Sequence, residues 1–217
     1  MPKPEPQPDT PRHGLLAAGN FIIDHVKTID AFPEQDMLVN ITADTASNGG
    51  GPYNVLKDLS ELGAPFPLAA AGLVGNDPAG DTILTDLSTH GIDTTAVLRT
   101  ADAPTSYTDA MTVASTGRRT FFHHRGTNAL LGTTHLVPEL ETSTARLFYL
   151  GYLMLLDNLD AIQPDKTTNA ATVLAHASSL GFTTVADLVS IDHPDFAASV
   201  RPSLPHTDLL FLNEREA

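Results

Sequence analysis

The sequence contains no cysteine, so a disulfide framework, a thiolate zinc site and a thiol nucleophile are excluded at the outset. Basic residues are scarce: 12 Lys and Arg stand against 26 Asp and Glu, a formal charge of −14. Such a chain repels phosphate-rich partners at long range, which argues against nucleic acid and against an anionic membrane surface. Long apolar runs are missing too. The longest, Leu147 to Leu156, falls short of the roughly 20 residues that a bilayer-spanning helix needs. There is no GxGxxG, no GK[ST], no HExxH and no GxSxG. Dinucleotide-binding, P-loop, zinc-protease and serine-hydrolase readings therefore lack their local signatures. Histidines stand at 13, 25, 90, 123, 124, 135, 176, 193 and 206 without an i,i+4 pair. His123 and His124 are neighbours on an expected strand, so they point to opposite faces and do not chelate one ion.

What is present is an ordinary globular composition, 41% hydrophobic and 18% charged over 217 residues. That length suits one large α/β domain, or a core with a small appendage. The absence of cysteine is compatible with a reducing compartment, and a cytoplasmic setting is the expectation. Residues 1–13 carry five prolines and no apolar h-region. They read as a disordered, extended tail rather than a signal peptide.

From Gly14 the punctuation changes. Leu15 to Ala18 and Phe21 to Ile23 read as one buried strand that ends near Asp24. Residues 25–47, with alternation through Met37, Val39 and Ile41, suggest short, half-exposed strands. Asn48-Gly49-Gly50-Gly51-Pro52-Tyr53-Asn54 then leads into a helix patterned by Val55, Leu56, Leu59 and Leu62 and stopped by Gly63. Leu68 to Val74 reads as a strand buried on both faces. Asp77-Pro78 supplies an N-cap and an N1 proline for a helix that Gly91 ends. Tyr107–Ala114 and Arg119–His124 flank Ser115-Thr116-Gly117 as a hairpin. Strand, helix, strand, helix and strand follow at 146–151, 168–180, 182–189, 193–200 and 208–212.

This alternation implies an α/β fold with a mostly parallel sheet covered by helices on both faces. Residues 14–24, 48–99 and 126–217 make up that core. The segments 25–47 and 100–125 fall outside the cycle and are expected together as a small β lid. After the last strand, a doubly covered sheet should continue into a helix, yet the sequence stops at Ala217. The expectation is a chain truncated at its C-terminus.

Three local features suit chemistry. A glycine triplet before a helix lets a ligand approach backbone, and the helix start offers free N–H groups. Asp24 sits at a strand's carboxyl end, where ligands bind in open α/β sheets. Asn213 and Glu216 hold the same topological position after the final strand, and a carboxylate with an amide there suits a hydrated Mg²⁺. Taken singly, each is also a plain loop, turn or helix start.

Taken in order, they resemble the ribokinase/PfkB family of carbohydrate kinases. Gly19-Asn20-x-x-x-Asp24 is similar to the family's opening strand. Gly49-Gly50-Gly51-Pro52-Tyr53-Asn54 with Glu61-Leu62-Gly63 is similar to its first signature. Gly72-Leu73-Val74-Gly75-Asn76-Asp77-Pro78-Ala79-Gly80-Asp81 resembles its G-x-V-G-x-D-x-x-G stretch. Pro104-Thr105, Gly117–Phe121 and Gly126-Thr127-Asn128 follow in register, and Asn213-x-x-Glu216 resembles its N-x-x-E motif.

The resemblance implies a ribokinase-like fold and ATP-dependent phosphorylation of a sugar hydroxyl. By it, Asp24, Gly49, Gly50 and Asn54 hold the sugar, and Asn128 and Arg125 line its pocket. Asp187 and Asn213 face the nucleotide phosphates, and Glu216 orders Mg²⁺ through water. The family's GAGD-type segment, which supplies the general base, has no counterpart; Pro78-Ala79-Gly80-Asp81 lies too far upstream. No catalytic base is therefore assigned in this chain. The base, most of the nucleotide pocket and any monovalent-cation site are expected beyond Ala217, in on the order of 100 further residues. On this reading the chain by itself binds sugar and ATP poorly and turns over neither. Its partners are a small sugar and ATP, with a homodimer formed through the lid. A nucleoside kinase of the same fold and a non-catalytic sugar-binding protein are the other readings.

Overall fold

The computed structural model describes residues 11–217. In chain order the elements are β1 (Leu15–Gly19), β2 (Ile22–Ile29), β3 (Ile41–Gly49), α1 (Gly51–Glu61), β4 (Leu68–Gly75), α2 (Pro78–Thr89) and β5 (Asp93–Thr100). There follow β6 (Tyr107–Val113), β7 (Arg119–His124), α3 (Thr133–Thr142), β8 (Leu147–Leu153) and α4 (Asp157–Asp160). The last are α5 (Asn169–Ser179), β9 (Thr183–Leu188), α6 (Phe196–Val200) and β10 (Leu209–Phe211).

Six strands build the core sheet in the order β10-β9-β8-β1-β4-β5, every neighbouring pair parallel. Its strands are apolar on both faces because helices cover both. On one side Leu16, Ala18, Phe148 and Leu150 pack with Leu136 and Leu140 of α3 and Val173 and Leu174 of α5. On the other, Leu15, Ala17 and Tyr149 pack with Leu56 of α1 and Ile83 and Leu87 of α2. Alternate residues of β1 thus feed two separate cores, as a period of two requires.

The second sheet, the lid, has the order β3-β2-β6-β7. Its central pair, β2 and β6, runs parallel, and both flanking pairs are antiparallel. The expectation of one strand from Leu15 to Asp24 is corrected here. Gly19 takes φ 131°, and the chain leaves the core sheet at Asn20. The Asn20 amide oxygen accepts from Gly51 N (3.2 Å) and Tyr152 N (2.8 Å), fastening the kink between two core elements. Asp24 is therefore the third residue of a lid strand, not the end of a core strand.

Other boundaries shift for similar reasons. The Asp93–Thr100 segment is the edge strand of the core. Its polar spelling hides it, since only Val97 is buried. The helix expected over 193–200 is one short turn, α6, continued by a 3₁₀ segment, Arg201–His206, that carries Pro202 and Pro205. Of the expected tail, residues 1–10 lie outside the described residues. Arg12 and His13, which were expected in it, are docked. Arg12 Nη1 donates to the carbonyls of Ser143 (3.1 Å) and Ala145 (2.9 Å), and its guanidinium covers the Phe182 ring. At the other end of the sheet β10 presents Leu209, Leu210 and Phe211 to solvent. No helix among the described residues is long and apolar enough to cross a membrane.

Candidate active site

The kink at Asn20 and the start of α1 meet at the carboxyl ends of β1 and β8. Gly50 is the residue before α1, with φ 100°, and a Cβ there would collide with the Asn20 carbonyl oxygen. A Cβ at Gly49 would collide with Asp24 Oδ2. The carboxylate and the glycine bend, remote in sequence, are thus in contact distance of one another. Register explains it: Ile22 pairs with Gly49 and Asp24 with Ser47, so all four side-chain positions share one face of the lid. Burial pushes the Asp24 carboxyl up, against the opposing fields of His25 and Arg119. Asn54 lies one turn into α1 on its exposed side, its backbone N–H donating to the Gly50 carbonyl (3.0 Å).

A second group of polar side chains gathers after β9 and β10. Tyr149 donates its hydroxyl to Asp187 Oδ2 (2.6 Å). Burial raises the Asp187 carboxyl and the charge on Glu216 adds to this, while the bonds from Tyr149 and the Leu188 N–H oppose it. Glu216 Oε1 accepts from Ser190 Oγ (2.7 Å) and Asn213 Nδ2 (2.7 Å), and Oε2 accepts from Asn213 N (2.9 Å). Asn213 Oδ1 accepts in turn from Arg215 N (2.8 Å). The N-x-x-E spacing closes a single turn in which the amide orients the carboxylate.

Tyr152, at the carboxyl end of β8, joins the two groups. Its phenol is pushed up by burial first and then by the negative fields of Asp187, Asp24 and Glu216, and its hydroxyl pairs with Asn54. A Cβ at Gly51 would meet the Tyr149 hydroxyl (2.6 Å) and the Tyr152 ring (3.1 Å), so the glycine bend adjoins the tyrosine that donates to Asp187. Sequence reasoning missed Tyr149, Tyr152 and the clamping amide of Asn20. The available signal was the pair of tyrosines bracketing Gly151 in an otherwise apolar strand.

The remaining expected residues are placed differently. Arg125 is committed elsewhere: Nη1 donates to the Met154 carbonyl (2.8 Å) and forms an ion pair with Asp157 (2.8 Å). It braces the lid hinge against the loop before α4. Asn128 is fully buried, its N–H donating to Ser106 Oγ (3.1 Å), and neither polar atom of its side chain has a protein partner. An orphaned buried amide is costly, about 1–3 kcal/mol per group, and fits a position that a ligand or water completes. His123 bonds Thr108 Oγ1 (2.8 Å) while His124 stacks on Tyr107, on the opposite face.

No group of three or more His, Asp or Glu among the described residues is disposed to hold a metal directly. Mg²⁺ is commonly held by one or two carboxylates and several waters, and Glu216 with Asp187 fits that pattern.

The sequence matches the family model described as pfkB family carbohydrate kinase over residues 13–217. No curated protein matches it. Among solved structures, the ribokinase from Giardia lamblia superposes with a TM-score of 0.71 at 21% identity, covering 94% of this chain and 58% of that one. The Arabidopsis thaliana ribokinase complexed with ribose and ATP gives 0.69 at 19% identity, with 94% and 60% covered. The Xylella fastidiosa fructokinase with bound ATP gives 0.66 at 20% identity, with 91% and 56% covered. The chain spans about three fifths of the length of these structures.

Proposed function

The chain belongs to the pfkB family of carbohydrate kinases, and from that premise we propose that it carries the acceptor half of an ATP-dependent sugar kinase. The observation that carries the reading is the glycine bend, which abuts the Asp24 carboxylate at Gly49 and the Tyr149 hydroxyl at Gly51, the same hydroxyl that donates to Asp187 (2.6 Å). An acceptor-binding carboxylate and a phosphate-facing pair in one cleft are what transfer from a nucleotide to a hydroxyl requires.

In this reading Asp24, ionised, accepts hydrogen bonds from acceptor hydroxyls. Gly49 and Gly50 let the ring settle on the backbone, where any side chain would intrude. Asn54, paired with Tyr152, offers a polar group over the same space, and Asn128 completes its unpaired amide on the ligand. The lid, hinged at Asn20 and braced by Arg125, excludes water that would otherwise compete as acceptor. Glu216, oriented by Asn213 and Ser190, and Asp187 would hold Mg²⁺ through water; the ion, when bound, neutralises charge on the phosphates. Asp187 and Asn213 face the same phosphates. No general base is assigned among these residues. A cytoplasmic setting and a homodimer joined through the lid belong to the same reading.

The experiment is a coupled ADP-release screen over pentoses, hexoses and nucleosides, on this chain and on the full product of its gene, with and without Mg²⁺. Sugar-dependent, Mg²⁺-dependent release that Asp24→Ala abolishes supports the reading. A preference for nucleosides would favour the nucleoside-kinase alternative. Ligand binding without turnover by the full product would favour the non-catalytic one.

A further inference from the structure

We infer that the acceptor carries an anionic group, a carboxylate or a phosphate, and that Arg119 on the lid reads it. The inference rests on the proposed acceptor site and adds the chemical class of its ligand. The strand registers set the geometry. Asp24 pairs with Thr108, Thr108 with His123, Ala110 with Phe121 and Thr112 with Arg119. In a pleated sheet these positions share one face, so Asp24, His123, Phe121 and Arg119 look over the same cleft. The same registers send Tyr107, Phe122 and His124 to the opposite face, away from Asp24. On β7 the cleft side therefore carries the Phe121 ring, the His123 imidazole and one uncommitted cation, Arg119.

Arg119 is uncommitted in a chain where cations are few. Lys27, Lys57, Arg99 and Arg125 are each paired with a carboxylate. Arg119, like Arg118, Arg146, Lys166, Arg201 and Arg215, has no carboxylate within ion-pair distance among the described residues, and of these it is the one that the strand registers place on the Asp24 face of the lid. Its guanidinium lies 5.7 Å from the centre of the Phe121 ring, and both side chains are exposed. Its field nevertheless reaches the Asp24 carboxylate. The opposite end of the cleft carries Asp24, Asp187 and Glu216 and repels negative charge. A ligand with one anionic end is thereby oriented: the charge goes to Arg119, and the hydroxyls go to Asp24 and the phosphate-facing end. From the His123 pair to the Arg119 pair is four residues of strand, roughly 13 Å, and the long Arg stem can lean back over part of it. A neutral sugar offers this cation hydroxyl acceptors but no opposite charge.

Calorimetric titration of the chain with two matched pairs tests the assignment: D-gluconate against D-glucitol, and D-fructose 6-phosphate against D-fructose. The pairs separate a carboxylate source from a phosphate source. The expected result is that the charged member of one pair binds on the order of tenfold tighter, as a charge-assisted hydrogen bond provides. Added salt narrows the gap. Arg119→Gln removes the preference and Arg119→Lys retains part of it; circular dichroism verifies that both variants fold. Equal affinity within both pairs, no binding of either charged member, or a preference that survives Arg119→Gln overturns the inference. Asp24→Asn separates the two levels. If it weakens both members of a pair alike, the acceptor site stands whatever Arg119 does. If it changes no affinity while Arg119→Gln abolishes the preference, the anion site stands and the acceptor reading falls.

Discussion

At the scale of single residues, buried acids set the pH behaviour. Asp24 and Asp187 both retain their protons to higher pH than a free aspartate, because burial disfavours the charged form. An ionised carboxylate accepts from sugar hydroxyls more strongly than a protonated one, so acceptor affinity should rise with pH through a limb lying above the ordinary aspartate value. Binding titrations across acidic pH should show that limb, and Asp24→Asn should flatten it while lowering affinity. Asp160, outside the cleft, gives a stability prediction. Burial raises its carboxyl to about 6, although the Leu156 N–H donates to it at 2.7 Å. The folded state then binds a proton more tightly than the unfolded chain, so stability is favoured below the unfolded value and lost as pH rises through 6. The cost at neutral pH is about 2–3 kcal/mol. Asp160→Asn should therefore melt higher than the parent at pH 7 and lose that advantage by pH 4 in thermal scans. Residues of this kind were only partly legible. Asp24, Gly49, Gly50, Asn54, Asn213 and Glu216 stand in short local spacings that a sequence displays. Asn20, Tyr149 and Tyr152 act through partners from 31 to 132 positions away, and no local pattern announces such contacts.

At the scale of elements, one carboxylate fastens the lid to the core. Asp77 caps α2 by accepting from Gly80 N (2.8 Å). It also accepts from Thr105 Oγ1 (2.6 Å) and Thr105 N (2.7 Å), just before β6. Burial alone would raise its carboxyl, but the bonds from Thr105 and Gly80 prevail and hold it low. That stabilisation is present at neutral pH and is lost as pH falls below the ordinary aspartate value. Asp77→Ala should cost about 1–3 kcal/mol in urea unfolding and speed amide exchange in β6 more than in β8. The cap was readable from Asp-Pro followed by a helical pattern; the tie to Thr105 was not, because it spans 28 positions. The break between β1 and β2 was missed for a related reason. Both sides of it are apolar, and a change of sheet alters neither hydrophobicity nor period. Strand β5 went unread because an edge strand has little to bury, and its residues say so.

For the whole molecule, architecture was more legible than boundaries, since alternating strands and helices admit few layouts. The proposed lid-to-lid dimer should appear in light scattering as twice the chain's 23.0 kDa, and Ile41→Glu on exposed edge strand β3 should return it to a monomer. A mass that stays at one chain at every concentration counts against it. The parallel pairing inside the lid has a kinetic consequence. Ile23 pairs with Tyr107, so although β2 can join β3 locally, the β2–β6 pairing that unites the two halves of the lid must wait for a partner 84 positions downstream. Between them lie α1, β4, α2 and β5, which can pack onto β1 through nearer contacts. Closing so long a loop before that material condenses would sacrifice chain entropy with little return. The central βαβ units should therefore assemble first in refolding, and the flap over the cleft should be the last part to gain protection.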